Sequence, residues 1–311
     1  MTEYKTGLYI SHPRALSTAF VTALAQPKTD GNQGVLPENW MDDPLQYQNA
    51  IVVYHPIRDV IRRRDKTSIS VAHQELYNYK HDIFCGAKAG NQYKDKKYGG
   101  IATPDTPVVF RESVGPEDET TELQIFPNTD VMKSLPVVVS IRRPKDFITS
   151  HLKLWPEDPI DNLEKSYLHL IKTYEAVAEA GGDAMLITAD HIRQNPRVTM
   201  EKVTDHLGIS FHEGMLKWAN INNSDVITFE NNPFIYLYDE SYDDQSVVRV
   251  KPWFDSVNNS KGIDARITTI KETVIPEFFN SETKDRIEKL DESYKSCLAI
   301  ANSDLFVISS P

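Results

Sequence analysis

Short, solid runs of apolar and mostly β-branched residues punctuate the chain. They are Leu8-Tyr9-Ile10, Ile51-Val52-Val53-Tyr54, Val108-Val109-Phe110, Val137-Val138-Val139-Ser140-Ile141 and Met185-Leu186-Ile187. None alternates with polar positions, so each predicts a strand covered on both faces. Between them apolar residues recur at helical spacing. Leu16, Phe20, Ala23 and Leu24 follow the first run, and Phe147, His151 and Leu154 follow the fourth. Leu163, Tyr167, Leu170 and Tyr174 form a longer stripe before the fifth. Asn195-Pro196 opens a further helix that Leu207-Gly208 closes. Ser281 starts a last helix, striped by Ile287, Leu290, Tyr294, Cys297 and Leu298. Strands alternating with helices predict an α/β fold, a central parallel sheet with helices on both faces. The chain reads as a single domain, 1–311. It carries a helical and loop insertion at about 55–100 and an irregular, aromatic-rich cap at about 220–262.

Composition narrows the function. The formal net charge of -11 repels nucleic acid and anionic membrane surfaces, so neither is expected as a partner. No apolar run approaches the roughly 20 residues of a membrane span. The first residues lack a basic region followed by an apolar stretch, and with only two cysteines, Cys85 and Cys297, the chain reads as cytoplasmic. The nine histidines are scattered without ligand spacing, so no metal is expected. An anion would have to be held by a local group of cations and backbone N–H donors.

Two segments supply such groups. Ser11-His12-Pro13-Arg14-Ala15-Leu16-Ser17-Thr18-Ala19-Phe20 runs from the first strand into a helix. The first N–H groups of a helix favour an anion, and Arg14 with the Ser17 and Thr18 hydroxyls adds charge and donors. Ala15 is small enough for a phosphate to approach the backbone. The Gly-Lys-Ser/Thr ending of a Walker A loop is missing, which argues against a magnesium nucleotide triphosphate. By itself the segment also fits an ordinary capped helix. The second segment is Val137 to Leu154, where a buried strand ends in Arg142-Arg143 and Pro144 starts a helix carrying Ser150. Arginines at the end of a buried strand are costly unless they meet an anion or carboxylates.

Both segments resemble the sulfotransferases that use 3′-phosphoadenosine-5′-phosphosulfate (PAPS). Pro13-Arg14-Ala15-Leu16-Ser17-Thr18 looks like the family's 5′-phosphosulfate loop, and Arg142, Pro144-Lys145-Asp146 and Ser150 look like its 3′-phosphate motif. Asp190-His191-Ile192 before Asn195-Pro196 and Ser260-Lys261-Gly262 before the last helix resemble weaker family elements. Met215-Leu216-Lys217-Trp218, Trp253-Phe254-Asp255-Ser256-Val257 and a loop ending Ser-Thr-Ala are similar to a bacterial branch acting on small molecules. Leu16 departs from the glycine of many members, and Arg14 from the commoner lysine.

The resemblance implies a P-loop-containing, sulfotransferase-like fold and transfer of a sulfuryl group from PAPS to a hydroxyl or amine of a small molecule. It leaves adenosine 3′,5′-bisphosphate as product and needs no metal. The residues it implies for cofactor binding are Arg14, Ala15, Leu16, Ser17, Thr18, Ala19, Arg142, Ser150, Lys261 and Gly262. For catalysis it implies Arg14 with a general base, either Glu112 at the end of the third run or His12 in the first loop. Glu112 paired with an arginine, and His12 as a structural residue, are the competing readings. A homodimer is compatible with the sequence. A P-loop nucleotide phosphotransferase and a non-catalytic nucleotide-binding protein on the same fold are the alternative functions.

Overall fold

A computed structural model describes residues 6–29, 34–43, 46–54, 106–114, 129–229, 231–232, 234–237, 255–263 and 279–306. The proposed insertion at 55–100, and Tyr238, Tyr242, Trp253 and Phe254 of the cap, lie outside them.

The main sheet contains β1 (Thr6–Ser11), β3 (Ile51–Tyr54), β4 (Val108–Ser113), β5 (Val137–Ile141), β6 (Ala184–Thr188) and β9 (Ile235–Leu237), in the order β6-β5-β1-β4-β3-β9. Strands β3 and β4, β3 and β9, and β5 and β6 pair in parallel. Every residue of β4 and of β5 is buried; the apolar runs predict this for Val108–Phe110 and for β5, and β4 goes on to bury the polar Arg111, Glu112 and Ser113 as well. The chain thus has the expected α/β architecture around a parallel sheet. β1 has β5 on one side and β4 on the other, so the sequence order reverses there. Loops leaving β1 and β5 therefore part at a switch point, where open parallel sheets bind ligands.

The backbone clusters into two compact units, one of residues 1–8, 18–112 and 204–264, the other of 9–17, 113–203 and 265–311. Helix α1 (Ser17–Leu24) begins where the loop after β1 ends; in the second unit, α2 (Thr129–Ser134) precedes β5. Helix α3 (Pro144–Leu152) follows β5 with Pro144 in its first turn, where the missing N–H is no loss. Helix α4 (Ile160–Glu179) buries Leu163, Tyr167, Leu170 and Val177, the predicted stripe continued by one turn. Tyr174 is only half-buried and reaches the Asp304 carboxylate. Helices α5 (Ala189–Gln194) and α6 (Pro196–His206) follow β6, and Gly208 at φ 67° ends α6 in the left-handed conformation that glycine adopts freely. Helix α7 (Ser281–Phe306) packs on β6 and α3 through a stripe that includes Ile287, Leu290, Tyr294, Cys297, Ala301 and Leu305. Asp304 fastens it by accepting the Leu186 N–H of β6 at 3.0 Å. Leu154 falls beyond α3 and is 40 % exposed, because Lys153 already caps the helix.

The first unit holds β3, β4 and β9 and a small sheet in the order β2-β7-β8, made of Val35–Leu36, Asn220–Ile221 and Asp225–Val226. The stretch after 220, read from sequence as irregular, therefore supplies β7, β8 and the edge strand β9. Buried Gln26 organises it, donating to the Ile227 carbonyl at 3.0 Å and accepting the Ala219 N–H at 2.9 Å. Phe229 and Phe234 of this stretch are buried, so they fill core. Among the described residues, no helix is long and apolar enough to cross a membrane.

Candidate functional site

The loop between β1 and α1 owes its shape to two residues. Arg14 at φ 66° and Leu16 at φ 63° both adopt the left-handed conformation, which is unfavourable for any residue with a Cβ. Ala15 between them is not left-handed and is completely buried. Alternating backbone hand turns successive N–H groups toward one concave side, the arrangement that cups anions. Strain of this kind persists only where the surroundings enforce it, and it gathers at ligand clamps. Leu16, whose spacing suggested a place in the helix, thus lies before it; the helix opens at buried Ser17.

This geometry sets a test. Leu16→Gly removes a Cβ penalty of roughly 1–2 kcal/mol, although glycine also has more unfolded-state freedom to lose. Leu16→Gly is expected to be more stable than Leu16→Ala by about 1 kcal/mol in urea denaturation. The reverse order would mean that residue 16 is not held left-handed.

His12, which is fully buried, locks the loop to the end of β5. Its Nε2 accepts the backbone N–H of Arg142 at 3.0 Å, which leaves the proton on Nδ1 to donate to the Pro13 carbonyl at 2.7 Å. The ring packs on Phe147 at 4.1 Å between centroids and on Tyr167 at 5.6 Å. Burial, with smaller contributions from Arg142 and His151, drives its pKa down to about 3 despite the hydrogen bond to Pro13. The imidazole is neutral, and both its nitrogens are taken by backbone.

Arg142 and Arg14 interlock around this clip. Arg142 Nη1 donates to the Arg14 carbonyl at 2.9 Å, and Arg14 Nε donates to the Ser150 hydroxyl at 3.1 Å. The two segments singled out in the sequence therefore meet within the second unit, in one hydrogen-bonded group. Arg142 Nε is buried with no hydrogen-bond partner among the described residues. Burial, then repulsion from Arg193, brings the Arg142 pKa down to about 10, against the pull of Asp146 and Asp190. Burial also lowers Arg14. The neighbouring Arg143 is better served: Nη2 lies 3.4 Å from Asp190 Oδ2, which also accepts from Tyr294 at 3.0 Å. An orphaned guanidinium N–H, in a side chain bonded to the backbone of a loop with two left-handed residues, is chemistry suited to phosphate.

The other candidates lie in the first unit. Thr18 and Ala19 are half-buried in the first turn of α1, where the Thr18 carbonyl accepts the Thr22 hydroxyl at 2.8 Å. Glu112 is buried in β4 beside buried Arg111. Lys261 is exposed, and its carbonyl accepts the Trp218 N–H at 3.0 Å. Gly262 has φ 148° and bridges Lys217; a Cβ there would meet the Leu216 carbonyl oxygen at 2.1 Å. Only glycine fits that approach. Among the described residues, no group of His, Cys, Asp and Glu is arranged to hold a metal ion.

No family model and no curated protein matches the chain. Among solved structures, it is similar to the sulfotransferase domain from the Synechococcus PCC 7002 olefin synthase. That likeness has a TM-score of 0.44 and 12% identity over 93% of this chain and 95% of that one. It is also similar to the sulfotransferase domain from the curacin biosynthetic pathway, at a TM-score of 0.38 and 12% identity over 93% and 98%. Likenesses of this strength carry no functional weight.

Proposed function

We propose that the protein is a PAPS-dependent sulfotransferase acting on a hydroxyl or amine of a small molecule. The observation that carries this reading is the convergence of Arg14, Arg142 and Ser150, joined by hydrogen bonds of 2.9 and 3.1 Å, on a loop with two left-handed residues. A P-loop phosphotransferase fits less well, because no Gly-Lys pair precedes Ser17 and Thr18, and that lysine is what reaches the β- and γ-phosphates of a triphosphate.

When bound, PAPS supplies the sulfuryl group and a phosphate leaving group. The chain's own residues then have distinct tasks. N–H groups of the loop around Ala15 and Leu16, with Ser17, Thr18 and Ala19 behind them, bind the 5′ end. Arg14 meets the charge that grows there as the leaving group departs; a guanidinium holds that charge electrostatically and is a poor proton donor. Arg142 and Ser150 bind the 3′-phosphate, Arg142 through its unpartnered Nε and Ser150 through the proton it does not spend on Arg14. Lys261 and Gly262 form the second binding loop. Glu112 takes the acceptor's proton, a contribution of roughly 10²- to 10⁴-fold for a well-placed base. His12, with its lone pair committed to Arg142, holds the loop in register rather than moving a proton.

A thermal-shift comparison tests the proposal. Adenosine 3′,5′-bisphosphate should raise the melting temperature at concentrations where ATP with magnesium and S-adenosylmethionine do not. A larger shift with magnesium-ATP would favour the phosphotransferase. Stabilisation by adenosine 3′,5′-bisphosphate without PAPS consumption across hydroxyl and amine acceptors would favour a non-catalytic nucleotide-binding protein.

A further inference from the structure

Arg193 is outside every motif that drew attention in the sequence, yet the fold brings it to Arg142. Strands β5 and β6 pair with Ile141 opposite Thr188, so the residues that follow them leave the sheet side by side. The contact of Arg143 with Asp190 shows that they stay abreast. Arg142 is then level with Ala189, the first residue of α5, and Arg193 is four residues on, one turn along the same face of the helix. Arg193 is half-buried. Among the described residues it has no carboxylate or hydrogen-bond partner, whereas its neighbour Arg143 has Asp190. Of the charged groups around Arg142, Arg193 depresses its pKa most, more than Arg14 does.

Arg14, Arg142 and Arg193 are thus gathered where the carboxylates are fewer, in addition to Arg143, which Asp190 serves. Asp190 is shared between Arg143 and Tyr294. Asp146 pulls on Arg142 but leaves one buried oxygen, Oδ1, without a partner. Like charges held this close destabilise the folded chain unless something of opposite sign is bound among them. A phosphate monoester carries nearly two negative charges near neutral pH, and one arginine offsets only one.

Building on the proposed function, we infer that Arg193 is a third anion-binding residue, pairing with Arg142 on the 3′-phosphate so that the site selects 3′-phosphorylated nucleotides over 3′-hydroxyl ones. Arg142 supplies the fork that orients the phosphate, and Arg193 supplies its second positive charge. The unliganded protein bears the cost of holding the two arginines together, and the ligand offsets it.

The test compares wild-type protein with Arg193→Gln and Arg193→Lys, by calorimetric titration and by melting temperature without ligand. Arg193→Gln should weaken adenosine 3′,5′-bisphosphate about tenfold or more and leave adenosine 5′-phosphate within about threefold. It should also raise the melting temperature of the free protein, because one of the repelling charges is gone. Arg193→Lys should keep most of the discrimination, which separates a role in charge from a role in packing. Equal losses for both nucleotides, unchanged affinity for both, or a lower melting temperature for Arg193→Gln would overturn the inference. Wild-type protein that ignores adenosine 3′,5′-bisphosphate would refute the proposed function itself, and this inference with it.

Discussion

Arg142→Ala should reduce affinity for adenosine 3′,5′-bisphosphate by about 3 kcal/mol, more than a hundredfold, while adenosine 5′-phosphate changes little. The size follows from where the side chain sits. Its Nε is buried and unpartnered and its Nη1 is spent on the Arg14 carbonyl, so the guanidinium is already positioned and largely dehydrated before any anion arrives. A charge-assisted contact made by such a group is worth far more than one at the surface. The substitution should spare the fold, because the link to His12 runs through the Arg142 backbone N–H and not through its side chain. Arg142→Lys should recover only part of the loss, since an ammonium lacks the fork that meets two phosphate oxygens at once. Titration calorimetry reads all three proteins. Losses of equal size for the two nucleotides would show that Arg142 does not hold the 3′ end.

The second large effect is acid sensitivity. Burial lowers His12 to about 3, and burial also lowers His212 to about 4, against the hydrogen bond its Nε2 donates to the Gln26 carbonyl. Arg142 and His151 face the first histidine, and Lys28 and Glu213 the second. An unfolded histidine titrates near 6.5, so between that value and about 4 the unfolded chain takes up protons that the folded chain refuses. Stability from these two groups is therefore complete above about pH 6.5 and is lost as the pH falls. By pH 5 each should have cost about 2 kcal/mol. Urea midpoints taken from pH 7 to pH 5 measure the slope. His12→Gln and His212→Gln should each remove about one proton from the uptake that accompanies unfolding. Variants that keep the full wild-type slope would mean the histidines are not the source.

How much of this could be read in the chain depended on whether a feature is local. β3 and β5 are found at their predicted residues, because an unbroken apolar run is a local signal; in β5 every residue is buried. Arg142 and Ser150 drew attention through their resemblance to a family motif, and the helix opened by Pro144 keeps the spacing of that motif. Leu16 misled. Its position four residues before Phe20 fits a helix, but it is left-handed in a loop bonded to Arg142, and no periodicity records that. His12 read equally well as a base or as structure until both its ring partners were known to be backbone. Arg193 was silent, since only the pairing of Ile141 with Thr188 brings it to Arg142. β9 is only three residues long and pairs with a strand far upstream, so it gave no signal against the polar stretch around it.

That distant pairing has a consequence for how the chain is made. Gln26 bonds Ile227 across 201 residues and Ala219 across 193, and the Asn232 side chain reaches the Ala25 carbonyl across 207. A ribosome extending the chain at about 5–20 residues per second would expose the early apolar strands for roughly ten seconds or more before their partners emerge. During that interval the free edge of β3 has nothing of its own to pair with, and it is a natural place for a chaperone to hold the nascent protein.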